Sequence, residues 1–193
     1  MPTLAELERE VAGCTKCALA AGRTQTVFGN GDPHAGLMFI GEGPGAEEDR
    51  QGLPFVGRSG QLLDRLINEE VGLERSQVYV ANVLRCRPPG NRDPRDEEIA
   101  ACWPYLEGQL DNIRPTVVVT LGNFAAKLLL QTTQGVTRLR GREYPWHGAV
   151  LVPTYHPSYI LRNGGGDQLV QMRADLVRAK QALVASRRYP GRR

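Results

Sequence analysis

Four stretches of the chain are apolar or alternating in the manner of strands, and amphipathic stretches separate them. Leu37-Met38-Phe39-Ile40 is a continuous apolar run of the kind that is buried on both faces of a sheet. Residues 77–83, Gln-Val-Tyr-Val-Ala-Asn-Val, alternate and are β-branched, which predicts a second strand. Residues 115–122 form an unbroken β-branched run that predicts a third, central strand, and residues 149–154 predict a fourth. Helical spacing fills the intervals. It runs through Leu4, Leu7 and Val11 up to Gly13, over residues 59–67, over 96–110, over 123–130 with Asn123 as cap, and over 167–185. Strands alternating with helices predict an α/β fold in three layers, a central four-stranded parallel sheet flanked by helices. A chain of 193 residues suits one such domain, expected over 1–186, with a disordered basic tail over 187–193.

Composition narrows the function classes. Apolar and charged fractions are ordinary for a globular protein, which sets aside disordered and fibrous classes. The formal charge is only +3, but acids gather in the first half and arginines such as Arg138, Arg140, Arg142, Arg162, Arg173 and Arg178 load the second. A basic half is compatible with a polyanionic partner. The amphipathic, charged opening over 1–11 and the lack of a long apolar run predict a cytoplasmic protein with no membrane association.

Candidate chemistry sits where strands end. Gly41-Glu42-Gly43-Pro44-Gly45-Ala46-Glu47-Glu48-Asp49 follows the first strand, with Pro54-Phe55-Val56-Gly57 close behind. Open parallel sheets bind ligands at the carboxyl ends of their strands, so a loop with this density of glycine, acid and aromatic points to a pocket. Asn82 closes the second strand and offers a donor and an acceptor side by side. The fourth strand runs into His156-Pro157-Ser158-Tyr159-Ile160-Leu161-Arg162. These three turns are expected to converge. The four cysteines, Cys14, Cys17, Cys86 and Cys102, form a C-x2-C pair, a gap of 68 residues and a C-x15-C pair. In a reducing compartment such a set reads as metal ligands, and the spacing alone leaves zinc and an iron–sulfur cluster both open.

Taken together, the glycine-rich motif at 41–45 with Glu48 and Asp49, the Pro54–Gly57 turn, Asn82 ahead of Cys86-Arg87-Pro88-Pro89, and the His156–Arg162 motif resemble the family 4 uracil-DNA glycosylases. The resemblance runs from about Cys14 to Arg162. It implies that a monomer removes uracil from DNA by hydrolysing the N-glycosidic bond and leaves an abasic site. It also implies a structural 4Fe-4S cluster on Cys14, Cys17, Cys86 and Cys102. A duplex uracil must be extruded at a cost of roughly a few kcal/mol. Gly41, Glu42 and Gly43 would line the uracil pocket, Phe55 would stack on the ring, and Asn82 would pair with its edge. Cytosine presents a donor where uracil presents a carbonyl, so the wrong base leaves buried groups unpaired. His156 would donate to the charge that collects on the departing base. Tyr159, Leu161 and Arg162 would enter the gap in the duplex, and Ser59, Arg87 and Ser158 would meet the DNA.

One position departs from the best-known members of the wider superfamily. They carry a water-orienting aspartate where this chain has Gly43, a departure shared by family 4. Glu42 and Glu48 remain as candidates, and the expectation is that Glu48 orients the water while Glu42 shapes the pocket. A relative that captures uracil covalently carries a histidine-bearing loop after the second strand, but residues 83–102 contain no histidine. A phosphate-cradling reading fails because neither G-x-G-x-x-G nor a Walker lysine is present.

Overall fold

In a computed structural model, which describes residues 1–188 and their side chains to 186, the apolar runs assemble one sheet. Its strands are β1 (Asn30–Gly31), β2 (Leu37–Gly41), β3 (Tyr79–Asn82), β4 (Val117–Leu121), β5 (Tyr144–Trp146) and β6 (Ala149–Thr154). They lie in the order β1-β3-β2-β4-β6-β5. The four inner strands are parallel, as their two-sided apolar character requires, and the two short edge strands are antiparallel. The sheet therefore has six strands, two more than the four expected. The added strands are only two and three residues long, and one contains Pro145, so neither leaves a period-two signature.

Among the described residues eight α-helices surround this sheet: α1 (Leu4–Ala12), α2 (Ala46–Gln51), α3 (Arg58–Leu66), α4 (Asp96–Ile113), α5 (Asn123–Leu130), α6 (Val136–Leu139), α7 (Pro157–Arg162) and α8 (Gly166–Arg188). Alternate residues of each inner strand feed two cores. Leu37, Phe39, Val117, Val119 and Val152 pack on α3, α6, α7 and α8, whereas Met38, Ile40, Ala81, Val118 and Leu151 pack on α4 and α5. Each fully buried leucine or valine side chain stabilises the layers by roughly 1.5–3 kcal/mol.

Several boundaries moved. α2 occupies part of the expected acidic loop, because Gly45 serves as N-cap and Glu48, three residues on, closes a capping box on the Gly45 amide. Asn123 does not cap α5. Gly122 does, and the Asn123 side chain instead accepts the Val136 amide at 2.9 Å, tying α5 to α6. The last helix continues through 187 and 188, and the rest of the expected basic tail, 189–193, lies outside the described residues. Among the described residues no helix is long and apolar enough to cross a membrane.

Topology fixes the site. The chain leaves β2 to build β3 on one side and then returns to build β4 on the other. That reversal opens a crevice beyond the carboxyl ends of β2 and β4, flanked by the ends of β3 and β6.

Candidate active site

A cleft of about 990 Å³ fills that crevice, lined by residues after β2 (Glu42 to Glu48), after β4 (Leu121 to Phe124), at the end of β3 (Asn82) and after β6 (Tyr155, His156), with Phe55 between them. Phe55, Asn82 and His156 thus face one space. The Phe55 and His156 ring centroids are 5.5 Å apart and the rings are tilted by 32°.

Two glycines make this crowding possible. Gly41 pairs in register with Asn82, and a Cβ at Gly41 would stand 2.4 Å from Asn82 Oδ1 and 2.7 Å from Phe55 Cζ. A Cβ at Gly60, in the first turn of α3, would meet the Phe55 carbonyl oxygen at 1.8 Å. Phe55 itself has φ of 54°, a left-handed backbone that costs a bulky residue of order 1–3 kcal/mol. Glu48 holds that turn. Its Oε1 accepts the amides of Val56 and Gly57, both at 3.0 Å, while its Oε2 accepts the Gly45 amide at 3.1 Å.

The carboxamide of Asn82 is buried, and its Oδ1 has no hydrogen-bond partner. An unpaired buried acceptor costs about 1–3 kcal/mol, and this one belongs to a residue that lines the cleft. His156 caps α7. Its Nδ1 accepts the Ser158 amide at 3.1 Å and lies 2.8 Å from Ser158 Oγ, which in turn accepts from Arg162 Nη1 at 3.4 Å. Burial, helped by the Arg162 charge, pushes the imidazole down to about 4, against an opposing pull from Glu48. A neutral ring whose Nδ1 is an acceptor carries its proton on Nε2. Glu42 is half-buried at the cleft wall, and burial, with the Asp93 carboxylate nearby, pushes it up to about 7.

The residues singled out in the sequence divide cleanly. Glu42, Gly43, Glu48, Phe55, Ser59, Asn82, His156, Ser158, Tyr159 and Arg162 line the cleft, and Gly41 lies directly beneath Phe55 and Asn82. Arg87 and Leu161 do not. Arg87 donates to Asn91 Oδ1 at 2.8 Å within its own loop, and Leu161 is exposed on α7. Sequence reading missed Tyr155, Asp93, Phe124 and Lys127, which also line the cleft. Tyr155 had a signal in its place beside His156, whereas Phe124 and Lys127 follow β4, which ends in the crevice only because of the strand order.

None of the four cysteines forms a disulfide among the described residues. Cys17, Cys86 and Cys102 pack with Leu19 and Leu84, and Cys14 packs against the neighbouring group of Val11, Phe28 and Tyr105. Among the described residues no three His, Cys, Asp or Glu side chains are gathered closely enough to form a metal-binding group. The surroundings nonetheless suit a thiolate-bound centre. Arg23 Nη1 lies 3.4 Å from Cys86 Sγ, and the buried Arg85 guanidinium lies within electrostatic reach of Cys86 and Cys102.

Fold and site now have a family to be set beside. The sequence model of the uracil DNA glycosylase superfamily matches residues 28–179, a stretch that holds Phe55, Asn82 and His156, and the chain belongs to that superfamily. Within it the chain is similar to type-4 uracil-DNA glycosylases. It is 41% identical to that of Sulfurisphaera tokodaii, over 98% of this chain and 89% of the relative. It is 41% identical to that of Saccharolobus solfataricus (95% and 88%) and 42% identical to that of Thermotoga maritima (92% and 93%).

Proposed function

We propose that this chain is a monofunctional uracil-DNA glycosylase that flips uracil out of DNA and hydrolyses its N-glycosidic bond, the opening step of base excision repair. The observation that carries the reading is the single cleft shared by the Phe55 ring, the His156 imidazole and the unpaired Asn82 Oδ1.

Phe55 offers a face on which an extruded ring stacks, a contact worth about 1–3 kcal/mol. Asn82 Oδ1 accepts the ring N–H of uracil, and its amide donates to the adjoining carbonyl. Cytosine, with a donor at that edge, leaves Asn82 unmatched. The Nε2–H of neutral His156 donates to a uracil carbonyl as the bond to the sugar lengthens and negative charge collects there. Ser158 fixes the tautomer from the other side of the ring.

The water falls to Glu42, not Glu48. All three hydrogen bonds of Glu48 go to backbone amides, which makes it a positioning residue, while Glu42 faces the cleft with its affinity for a proton raised into the neutral range. This division reverses the one expected from the sequence. Tyr159, Leu161 and Arg162 on α7 supply the wedge and a phosphate contact, with Ser59, Ser158 and Arg87 along the DNA.

Cys14, Cys17, Cys86 and Cys102 would hold a 4Fe-4S cluster, which when bound supplies a covalent cross-link between three distant segments. The chain's own part is to bring Cys86 to the turn that carries Asn82. One chain supplies every residue of the site, which suits a monomer acting through a single domain over 1–186.

Incubation of the purified protein with oligonucleotides carrying U opposite G, followed by alkali, tests the activity. Strand scission at the uracil is expected only after alkali, and no scission overturns the reading. A brown protein with broad visible absorbance is expected for the cluster, and a colourless zinc protein overturns that assignment alone.

A further inference from the structure

Among the described residues Arg85 is the largest side chain in the fully buried interior, with 1% of its surface exposed, and it meets no carboxylate there. Its Nη1 donates to the backbone carbonyl of Asn82, its Nη2 donates to Gln109 Oε1 at 2.6 Å, and its Nε has no partner. Both acceptors are neutral. Arginine does not shed its proton, so a positive charge is locked in the interior beside β3. A buried charge without a counter-charge is strongly unfavourable, and Cys86 and Cys102 lie within electrostatic reach of this one. Arg85 immediately precedes Cys86, and the Cys102 sulfur lies beside its backbone amide.

The same short segment ties the cleft loop after β2 to the chain at Val27. Val83 and Leu84 donate their amides to the carbonyls of Gly41 and Glu42, at 2.9 and 3.0 Å, and the Arg85 carbonyl accepts the Val27 amide at 2.8 Å. Gln109, the other partner of the guanidinium, is itself held by Phe28 O and Tyr79 Oη at 2.8 and 3.1 Å. The Asn82 main chain is therefore fixed by a cation whose place is anchored at both ends.

We propose that Arg85 is a positioning residue that couples the four-cysteine site to the base-reading Asn82, its charge balanced by the cluster thiolates and its guanidinium fixing the strand end that aims the carboxamide. The inference rests on the uracil and cluster readings above. Four thiolates around a 4Fe-4S core carry a net negative charge, the complement that the neutral acceptors of Arg85 lack. No redox step is involved.

The test uses cluster-loaded wild type, Arg85→Lys and Arg85→Met. A nearby cation favours the more negative, reduced cluster, so Arg85→Met is expected to lower the reduction potential measured by film voltammetry, while Arg85→Lys stays near wild type. Single-turnover excision of uracil is expected to fall about tenfold in both variants, because lysine keeps the charge but presents its donors from a single nitrogen and cannot reproduce the planar fork that spans the Asn82 carbonyl and Gln109. Binding to an undamaged duplex should stay within about twofold in both. An unchanged potential in Arg85→Met, full excision by Arg85→Lys, or duplex binding that falls in step with excision overturns the proposal. Should Arg85→Met fail to load its cluster, Arg85→Lys and Gln109→Met decide the matter, since each keeps the cation, and full excision by either overturns it. A colourless or inactive wild type refutes the earlier readings instead, so the two failures are separable.

Discussion

Glu48 and Gly57 are joined by a hydrogen bond from the Gly57 amide to Oε1 of Glu48, at 3.0 Å, and the same oxygen holds Val56. The carboxylate thus secures the strained turn that presents Phe55. Glu48→Ala leaves three backbone amides without acceptors and is expected to cost about 2–4 kcal/mol in chemical unfolding, lowering excision with stability. Glu42→Gln removes no hydrogen bond to the fold. Its unfolding midpoint should not fall below that of wild type, while single-turnover excision falls about 100-fold. An excision loss for Glu48→Ala without a stability loss would return the water to Glu48.

The pH response separates Glu42 from His156. His156, pushed down to about 4, stays neutral and able to donate from Nε2 across the working range. Glu42, pushed up to about 7, loses its base form as pH falls through neutrality. Excision in wild type is therefore expected to fall below about pH 7, and the Glu42→Gln profile to be flat there. The stability signs are opposite. The lowered His156 contributes stability that is lost as pH falls from 6.5 toward about 4, whereas the raised Glu42 withdraws stability as pH rises from 4.5 to about 7. Relative to wild type, Glu42→Gln should gain stability over that second window, measured by urea unfolding at several pH values.

Asn82 sets function against stability. Its Oδ1 makes no hydrogen bond within the protein, so Asn82→Ala discards no such bond from that atom and removes a buried unpaired acceptor. Thermal stability is expected to hold or rise, while excision of uracil falls at least about tenfold and undamaged duplex binds as before. A destabilised variant would mean that Asn82 serves the fold.

Gly41→Ala would press a methyl group against both Asn82 Oδ1 and the Phe55 ring. Because Gly41 lies in β2, between two parallel neighbours, the side chains must yield. The expected cost is about 1–3 kcal/mol of stability with a larger proportional loss of excision, measured by unfolding and single-turnover assays on the same preparation.

Leu161 is exposed on α7 and its removal disturbs no core. Leu161→Ala is expected to leave stability within about 0.5 kcal/mol. Excision from paired duplex should fall more than excision from single strands, since only a duplex leaves a gap to be filled. Equal losses on both substrates would remove Leu161 from the wedge.

Much of this was legible in the chain because parallel strands must be apolar on both faces and their loops must carry the chemistry. Leu37–Gly41, Val117–Leu121 and Ala149–Thr154 stand out for that reason, and Glu42, Asn82 and His156 follow strand ends. The edge strands were too short to carry a period. The role of Glu48 had a signal that was passed over, since Gly45 with glutamate three residues later is the spacing of a capping box. The place of Arg85 could not be read at all. An arginine between Leu84 and Cys86 looks like surface charge until the strand order buries it.

The crevice is walled by residues that close β2, β3 and β6, and β6 ends only at Thr154. During synthesis the ribosome must therefore deliver the chain as far as His156 before the final wall exists, and pairings this distant are slow to form. A nascent or prematurely terminated chain holds the Phe55 and Asn82 walls of the cleft but lacks the His156 imidazole, so the complete cleft arrives late and all at once.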